Sequence, residues 1–202
     1  AVSLIRRGEG GEVQFVLIQQ TSAIVLISHT PNKNMKNLNA KQKQWLITLH
    51  VVFSAMWFGT ALCMIAIALM NRNTPNGDEL YAINSVMKLL DDIVIIPSAF
   101  FSLLSGAFLC WLTIWGFFKH YWVIAKWIGT VTLIVTGSIW LGPWTNAMTA
   151  ISAEQRLQAL QNPLYVFDQK AVFISAIIQT SSLLFVIAIS FVKPWGKRDK
   201  KI

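Results

Sequence analysis

Acidic residues are scarce in this chain: 9 Asp and Glu stand against 17 Lys and Arg in 202 residues. Charged residues of both signs make up 13% of the sequence and hydrophobic ones 54%, which excludes an ordinary soluble domain, where roughly a quarter of residues are charged. Cysteine is nearly lacking too. Cys63 and Cys110 belong to no CxxC pair, so a disulfide scaffold and a cysteine-built zinc site are excluded, and both read as small apolar residues. There is no phosphate-binding glycine loop, internal repeat or low-complexity tract, and no loop pairs a nucleophile with a base.

What the chain does have is long apolar runs. Windows of about 20 apolar residues, enough to cross a bilayer, fall at 45–70, 93–118, 121–141 and 171–192, and none contains Asp or Glu. A strand or open loop in lipid leaves backbone groups unpaired, so the expected fold is all-α: a polytopic membrane protein built as a four-transmembrane-helix bundle over 35–202. Its expected partner is the lipid bilayer, with a homo-oligomer left open.

The net charge of +8 suggests nucleic acid at first sight, but the basic residues collect at the ends of the runs and form no basic domain. With the start of the first span inside, nine Lys and Arg lie on the inner side: Lys36, Lys41, Lys43, Lys119, Lys193, Lys197, Arg198, Lys200 and Lys201. Four lie outside: Arg72, Lys88, Arg156 and Lys170. The positive-inside rule then predicts a bacterial cytoplasmic (inner) membrane protein with both termini cytoplasmic and no role in nucleic-acid binding. The basic tail at 193–202 is either a headgroup contact or a plain topology signal.

Residues 1–34 do not fit that pattern. The segment VQFVLIQQTSAIVLI is broken by Gln19, Gln20, Thr21 and Ser22, too polar to span and unlike a secretory signal. From Met35, MKNLNAKQKQW makes a short basic lead into an apolar span, so 1–34 are expected to be upstream or unstructured extension. In the loops, Thr74 is expected to cap a helix with Pro75 first and Asp78 and Glu79 in its opening turn. Leu80, Ile83, Val86, Met87 and Leu90 then recur at helical spacing, as a surface helix or an outward extension of the second span. Ser152 with Gln155 reads as a capping box for a short helix ending near Pro163. Pro97 should kink the second span, and two small-residue series, Ser98/Ser102/Gly106 and Ala55/Gly59/Cys63, mark expected helix contacts.

Two ionisable residues stand inside the runs. His50 lies five positions past Trp45 and Lys126 five past Tyr121, so in this topology both sit about 7 to 8 Å inside the same face. His50 shares a helical stripe with Ser54, Trp57 and Ala61; Lys126 shares one with Trp122, Gly129, Thr130, Leu133 and Gly137. Ionisable side chains at membrane depth are costly and mark candidate sites. The imidazole can ligate a metal or haem iron or carry a proton, and Lys126 suits an acidic ligand group because no span offers it a carboxylate. The plainer alternatives stay open: Lys126 snorkels to the headgroups, and His50 bonds a Ser or Thr on a neighbouring helix. His120, at the inner turn, reads as interfacial, and Met56 and Met64 as core.

LHVVFSAMWFG (49–59), DIVIIPSAFFSLLSG (92–106) and YWVIAKW (121–127) resemble the first three helix motifs of the HemJ-type protoporphyrinogen oxidases and the related CopD-like membrane proteins. Within this group the chain is most similar to a bacterial family of predicted four-helix integral membrane proteins whose role is unassigned. The resemblance implies a haem b site, with His50 and Lys126 as the residues needed for function. It also departs from the enzymes: TLIVTGSIWLGP (132–143) lacks the histidine they carry about two turns after the lysine. The resemblance therefore carries the fold further than the oxidation of a porphyrinogen, and no enzymatic activity is assigned.

The resulting expectation is a haem or other redox ligand held between the first and third helices. His50 would be catalytic or the iron ligand, Lys126 would position an acidic group, and Trp57 and Trp122 would line the pocket. The alternative is a non-enzymatic copper or small-solute permease or an accessory subunit; the lack of carboxylates in the spans counts against proton-coupled cation transport. Mass spectrometry of the native protein tests the extension: the mature chain is expected to begin at Met35, and one retaining Ala1 refutes this.

Overall fold

A computed structural model describes residues 38–72, 74–113 and 116–192. The readings made above for 1–34 and for the basic tail lie outside these residues. Helix α1 (Ala40–Asn71) is followed by α2 (Gly77–Leu90), a π-helical turn (Asp91–Ile95) and α3 (Ile96–Leu112). Then come α4 (Tyr121–Thr136), a second π turn (Gly137–Leu141), α5 (Gly142–Gln155), a 3-10 turn (Arg156–Gln161) and α6 (Pro163–Val192). These elements run together into four rods, Ala40–Asn71, Gly77–Leu112, Tyr121–Gln161 and Pro163–Val192, each long and apolar enough to cross a membrane. The expected all-α four-helix bundle is the observed architecture, that of a multi-pass membrane protein.

The rods are longer than the apolar windows, and the prolines explain why. Pro97 and Pro143 lack an N–H, and their rings crowd the carbonyl four residues back. Each lies just past a π turn, where Ile96 N–H reaches the Asp91 carbonyl and Gly142 N–H reaches that of Gly137. The widened turn absorbs the missing bond, so the helix continues through each proline. Pro163 opens α6 at a position where no N–H is needed, eight residues before the apolar window begins. The second rod instead stops early, at Leu112, with Thr113 extended.

Two local expectations are corrected. The cap of α2 is Asn76, whose side chain accepts from Asp78 N–H at 2.9 Å, while the Thr74 hydroxyl turns back to the Met70 carbonyl. An amide oxygen two residues before the first orphan N–H does the job that was assigned to Thr74. Ser152 caps nothing: it is buried near the end of α5 and donates to the Thr149 carbonyl. The acidic opening turn is as expected, and of the two alternatives for 80–90 the helix extends the second span, with Leu80 and Met87 fully buried.

On α1 the buried positions are Trp57, Ala61, Met64, Ala68 and Asn71, alternating by four and three as in a helix seam. The Ala55/Gly59/Cys63 series is not a contact: Ala55 and Cys63 are exposed, and a Cβ on Gly59 would meet nothing within 4 Å. Ser98, Ser102 and Gly106 do form one, against α1. Large side chains such as Leu62, Phe100, Ile128 and Phe185 point outward, as a lipid-facing surface requires.

We call the two ends of the bundle after their polar residues. At the amide end, Asn71, Asn84 and Tyr165 close a buried ring: Asn71 Nδ2 donates to Asn84 Oδ1 (2.9 Å), Asn84 Nδ2 to the Tyr165 hydroxyl (3.0 Å), and that hydroxyl to Asn71 Oδ1 (3.3 Å). Around it lies the larger core, with Met64, Leu80, Met87, Met148 and Val172; a smaller one joins Trp57, Ala61, Ala99, Leu133 and Leu183. Neither cluster reaches past Trp57 toward the histidine end. The helix pairs follow the same division: α2 packs on α5, whereas their continuations α3 and α4 barely meet.

The amide ring sets a stability expectation. Tyr165→Phe strands two buried amide groups and should cost about 1–3 kcal/mol in detergent unfolding. Gly77→Ala should cost about as much, because its Cβ would stand 2.6 Å from the Leu157 backbone nitrogen. Unchanged unfolding of both variants would contradict this account of the amide end.

Candidate functional site

Beyond the smaller core the four rods enclose a cavity of about 480 Å³ at the histidine end, within the range of small-molecule sites. His50 and Trp57 from α1 and Trp122 and Lys126 from α4 all line it. The sequence placed a site between the first and third helices, and both contribute. They are not a packed pair, however: they face each other across the cavity, with α3 and α6 as its side walls. The equal depth read from Trp45 and Tyr121 does bring His50 and Lys126 within electrostatic reach of one another.

His50 is held by α3. Its Nδ1 lies 3.0 Å from the Ser102 carbonyl oxygen and 3.1 Å from Ser105 Oγ. A carbonyl can only accept, so Nδ1 carries the hydrogen and donates, while the Ser105 hydroxyl is committed to the Phe101 carbonyl at 2.6 Å. In the neutral ring this leaves Nε2 unprotonated, with no hydrogen-bond partner among the described residues. A histidine whose Nδ1–H is fixed by a backbone carbonyl is the usual arrangement for metal ligation through Nε2. Gly106 makes room for the ring: a Cβ there would lie 3.3 Å from His50 Cε1. Ser54 and Ser102 share a 2.7 Å hydrogen bond one turn deeper and pin α1 to α3 at this level. The plain alternative for His50, a bond to a serine on a neighbouring helix, is thus partly realised, but it uses only one ring nitrogen.

Lys126 is half-buried and has no hydrogen bond or ion pair among the described residues; Cys110 lies within electrostatic reach. Cys110 is itself held by Trp127, whose indole Nε1–H points at its sulfur at 3.4 Å. Trp127 also packs on Phe117, closing the α3–α4 side. His120 precedes α4, and its carbonyl accepts from the Val123 and Ile124 N–H groups. Met64 is core as expected, whereas Met56 is exposed.

One residue was missed. Asp168 is 1% exposed on α6, and its Oδ2 has no hydrogen-bond partner among the described residues. It lay outside the apolar windows because the fourth was drawn from 171. Asp91 and Asp92, in the first π turn, likewise lie inside a continuous rod. The rods as they fold therefore do contain carboxylates, although the apolar windows do not.

Comparisons with family profiles, with characterised proteins and with solved structures return no match to this chain. The geometry has to carry the functional reading by itself. Nitrogen-15 NMR of histidine-labelled protein should report His50 as the Nδ1–H tautomer; an Nε2–H signal would remove its availability as a ligand.

Proposed function

We propose that the chain is a bacterial inner-membrane protein that holds haem, or a closely related acidic tetrapyrrole, in the cavity at the histidine end. The observation that carries this reading is that a histidine with a free ring nitrogen and an unpaired lysine line one tryptophan-walled cavity. A bare copper or zinc ion needs several protein donors, and no group of three His, Cys, Asp or Glu exists among the described residues. A porphyrin brings four nitrogens of its own, so one imidazole is enough. Lys126 would meet a propionate, and Trp57 and Trp122 would border the tetrapyrrole. Bound haem would supply one-electron chemistry, with His50 to hold it, Lys126 to neutralise its acid and the apolar wall to exclude water. The motif resemblance to the HemJ-type and CopD-like proteins points the same way.

Charge placement supports the orientation. From residue 35 onward nine Lys and Arg precede or open α1, join α3 to α4 or follow α6, on the histidine side, against four (Arg72, Lys88, Arg156 and Lys170) on the amide side. The positive-inside rule then favours a cytoplasmic histidine end. The second reading, a permease for copper or a small solute, is favoured by one observation, the buried unpartnered carboxyl of Asp168.

An absorption spectrum separates the two. Purified protein, as isolated or after hemin addition, should show a Soret band that His50→Ala abolishes. Lys126→Met should keep the band but weaken hemin binding about tenfold through the lost charged contact. A flat spectrum after hemin addition refutes the proposal; copper uptake by proteoliposomes that depends on Asp168 or Met64 supports transport.

A further inference from the structure

The exposure of the cavity's lining is unevenly shared among the rods. The α3 contributions (Ser102, Leu103, Gly106, Leu109 and Cys110) and the α4 ones (Trp122, Val123, Lys126, Trp127 and Thr130) are all buried or half-buried. The exposed lining residues come from α1 and α6: Ile47 (41% exposed), Val51 (56%) and Ala55 on the first, Leu184 (55%) and Phe191 (82%) on the second. These two helices are pinned together by Trp57, Ala61 and Leu183, and α1 has no buried residue between that level and its start. On the opposite side the Trp127–Cys110 and Trp127–Phe117 contacts shut the wall. The cavity thus has a mouth, and it lies between α1 and α6.

The rim of that mouth is apolar. Ile47, Val51, Leu184 and Phe191 offer no hydrogen-bonding group to water, and they continue the outward apolar surface of their helices. A rim of this kind sits in hydrocarbon. Inside it, Lys126 has no acidic neighbour among the lining residues, so the charge it can meet is the ligand's.

We infer that the cavity takes its ligand sideways from the bilayer, through the α1–α6 mouth, and that this ligand is a membrane-dissolved amphiphile with an acidic group. The ligand class rests on the haem reading above; the position of the mouth does not. The acid enters along the headgroup level toward Lys126 while the apolar body slides past Val51 and Leu184. Loading from lipid spares a poorly soluble ligand a passage through water.

Native Cys110, inside the cavity, reports on the mouth without reference to haem. The full chain carrying Cys63→Ser is placed in neutral phosphatidylcholine vesicles and treated with pyrenyl maleimide dissolved in the bilayer, or with a sulfonated maleimide in the water on both sides. The lipid-borne reagent should label Cys110. Val51→Trp and Leu184→Trp, both at lipid-exposed positions, should each slow labelling about tenfold by narrowing the path, while Leu104→Trp on the outer face of α3 should not. The rate at which hemin is taken up from the same vesicles should follow the same order. Wild-type labelling rates in both mouth variants, or equally fast labelling by the sulfonated reagent, overturn the inference. Mouth-dependent labelling with no hemin band leaves the mouth standing and refutes the tetrapyrrole; a hemin band with mouth-independent uptake does the reverse.

Discussion

The structure depends on how two of its helices keep their backbone paired across a proline. In lipid no water is available to satisfy a freed carbonyl, so a proline inside a span must be accommodated by the helix itself. Pro97 and Pro143 are both accommodated by a π turn on their N-terminal side. On one side of these turns α2 and α5 pack together; on the other, α3 and α4 part. The room between the parted helices is where the cavity lies. A feature that looks like a local defect in two rods thus coincides with the change from solid core to open site, as π bulges at functional sites often do.

The two ends of the bundle treat polar groups in opposite ways. At the amide end Asn71, Asn84 and Tyr165 satisfy one another, a closed ring with nothing to offer a ligand. Such a ring rigidifies and specifies the packing around it. At the histidine end the polar groups are only half satisfied. His50 is anchored through one nitrogen and presents the other, and Lys126 has no hydrogen-bond or ion-pair partner among the described residues. Leaving groups unpaired at membrane depth is costly, and that cost is explicable when a ligand completes the set. Asp168 departs from the division: it is a buried carboxyl in the amide half with an oxygen that lacks a partner among the described residues, as does the buried Thr180 hydroxyl further along α6.

Much of this was legible from residue order. Length of apolar run identified four spans because a bilayer imposes a minimum length on any helix that crosses it. The stripe of His50, Ser54, Trp57 and Ala61 was legible because a helix repeats every 3.6 residues whatever surrounds it. Boundaries were less so. Pro143 and Pro163 look like stops in a sequence, and it takes the neighbouring rods to stabilise a π turn at one and a helix start at the other. The cap of α2 was misplaced for a related reason: Thr74 and Asn76 are both competent caps, and the path of the chain chooses between them, just as it carries α5 through Ser152, where a new short helix was expected to start.

The sequence by itself determined the solvent this protein folds in, the number of rods and the level at which His50 and Lys126 lie, because hydropathy and helical rise are local properties. Only the tertiary structure decided that the first and third helices face each other across a gap, that a Ser102 carbonyl from the second holds the imidazole, and that the exposed lining of the cavity belongs to the first and fourth. Those are properties of which helix packs on which, and in a bundle apolar on every face the packing partner is set by small residues and a few hydrogen bonds that no single rod reveals.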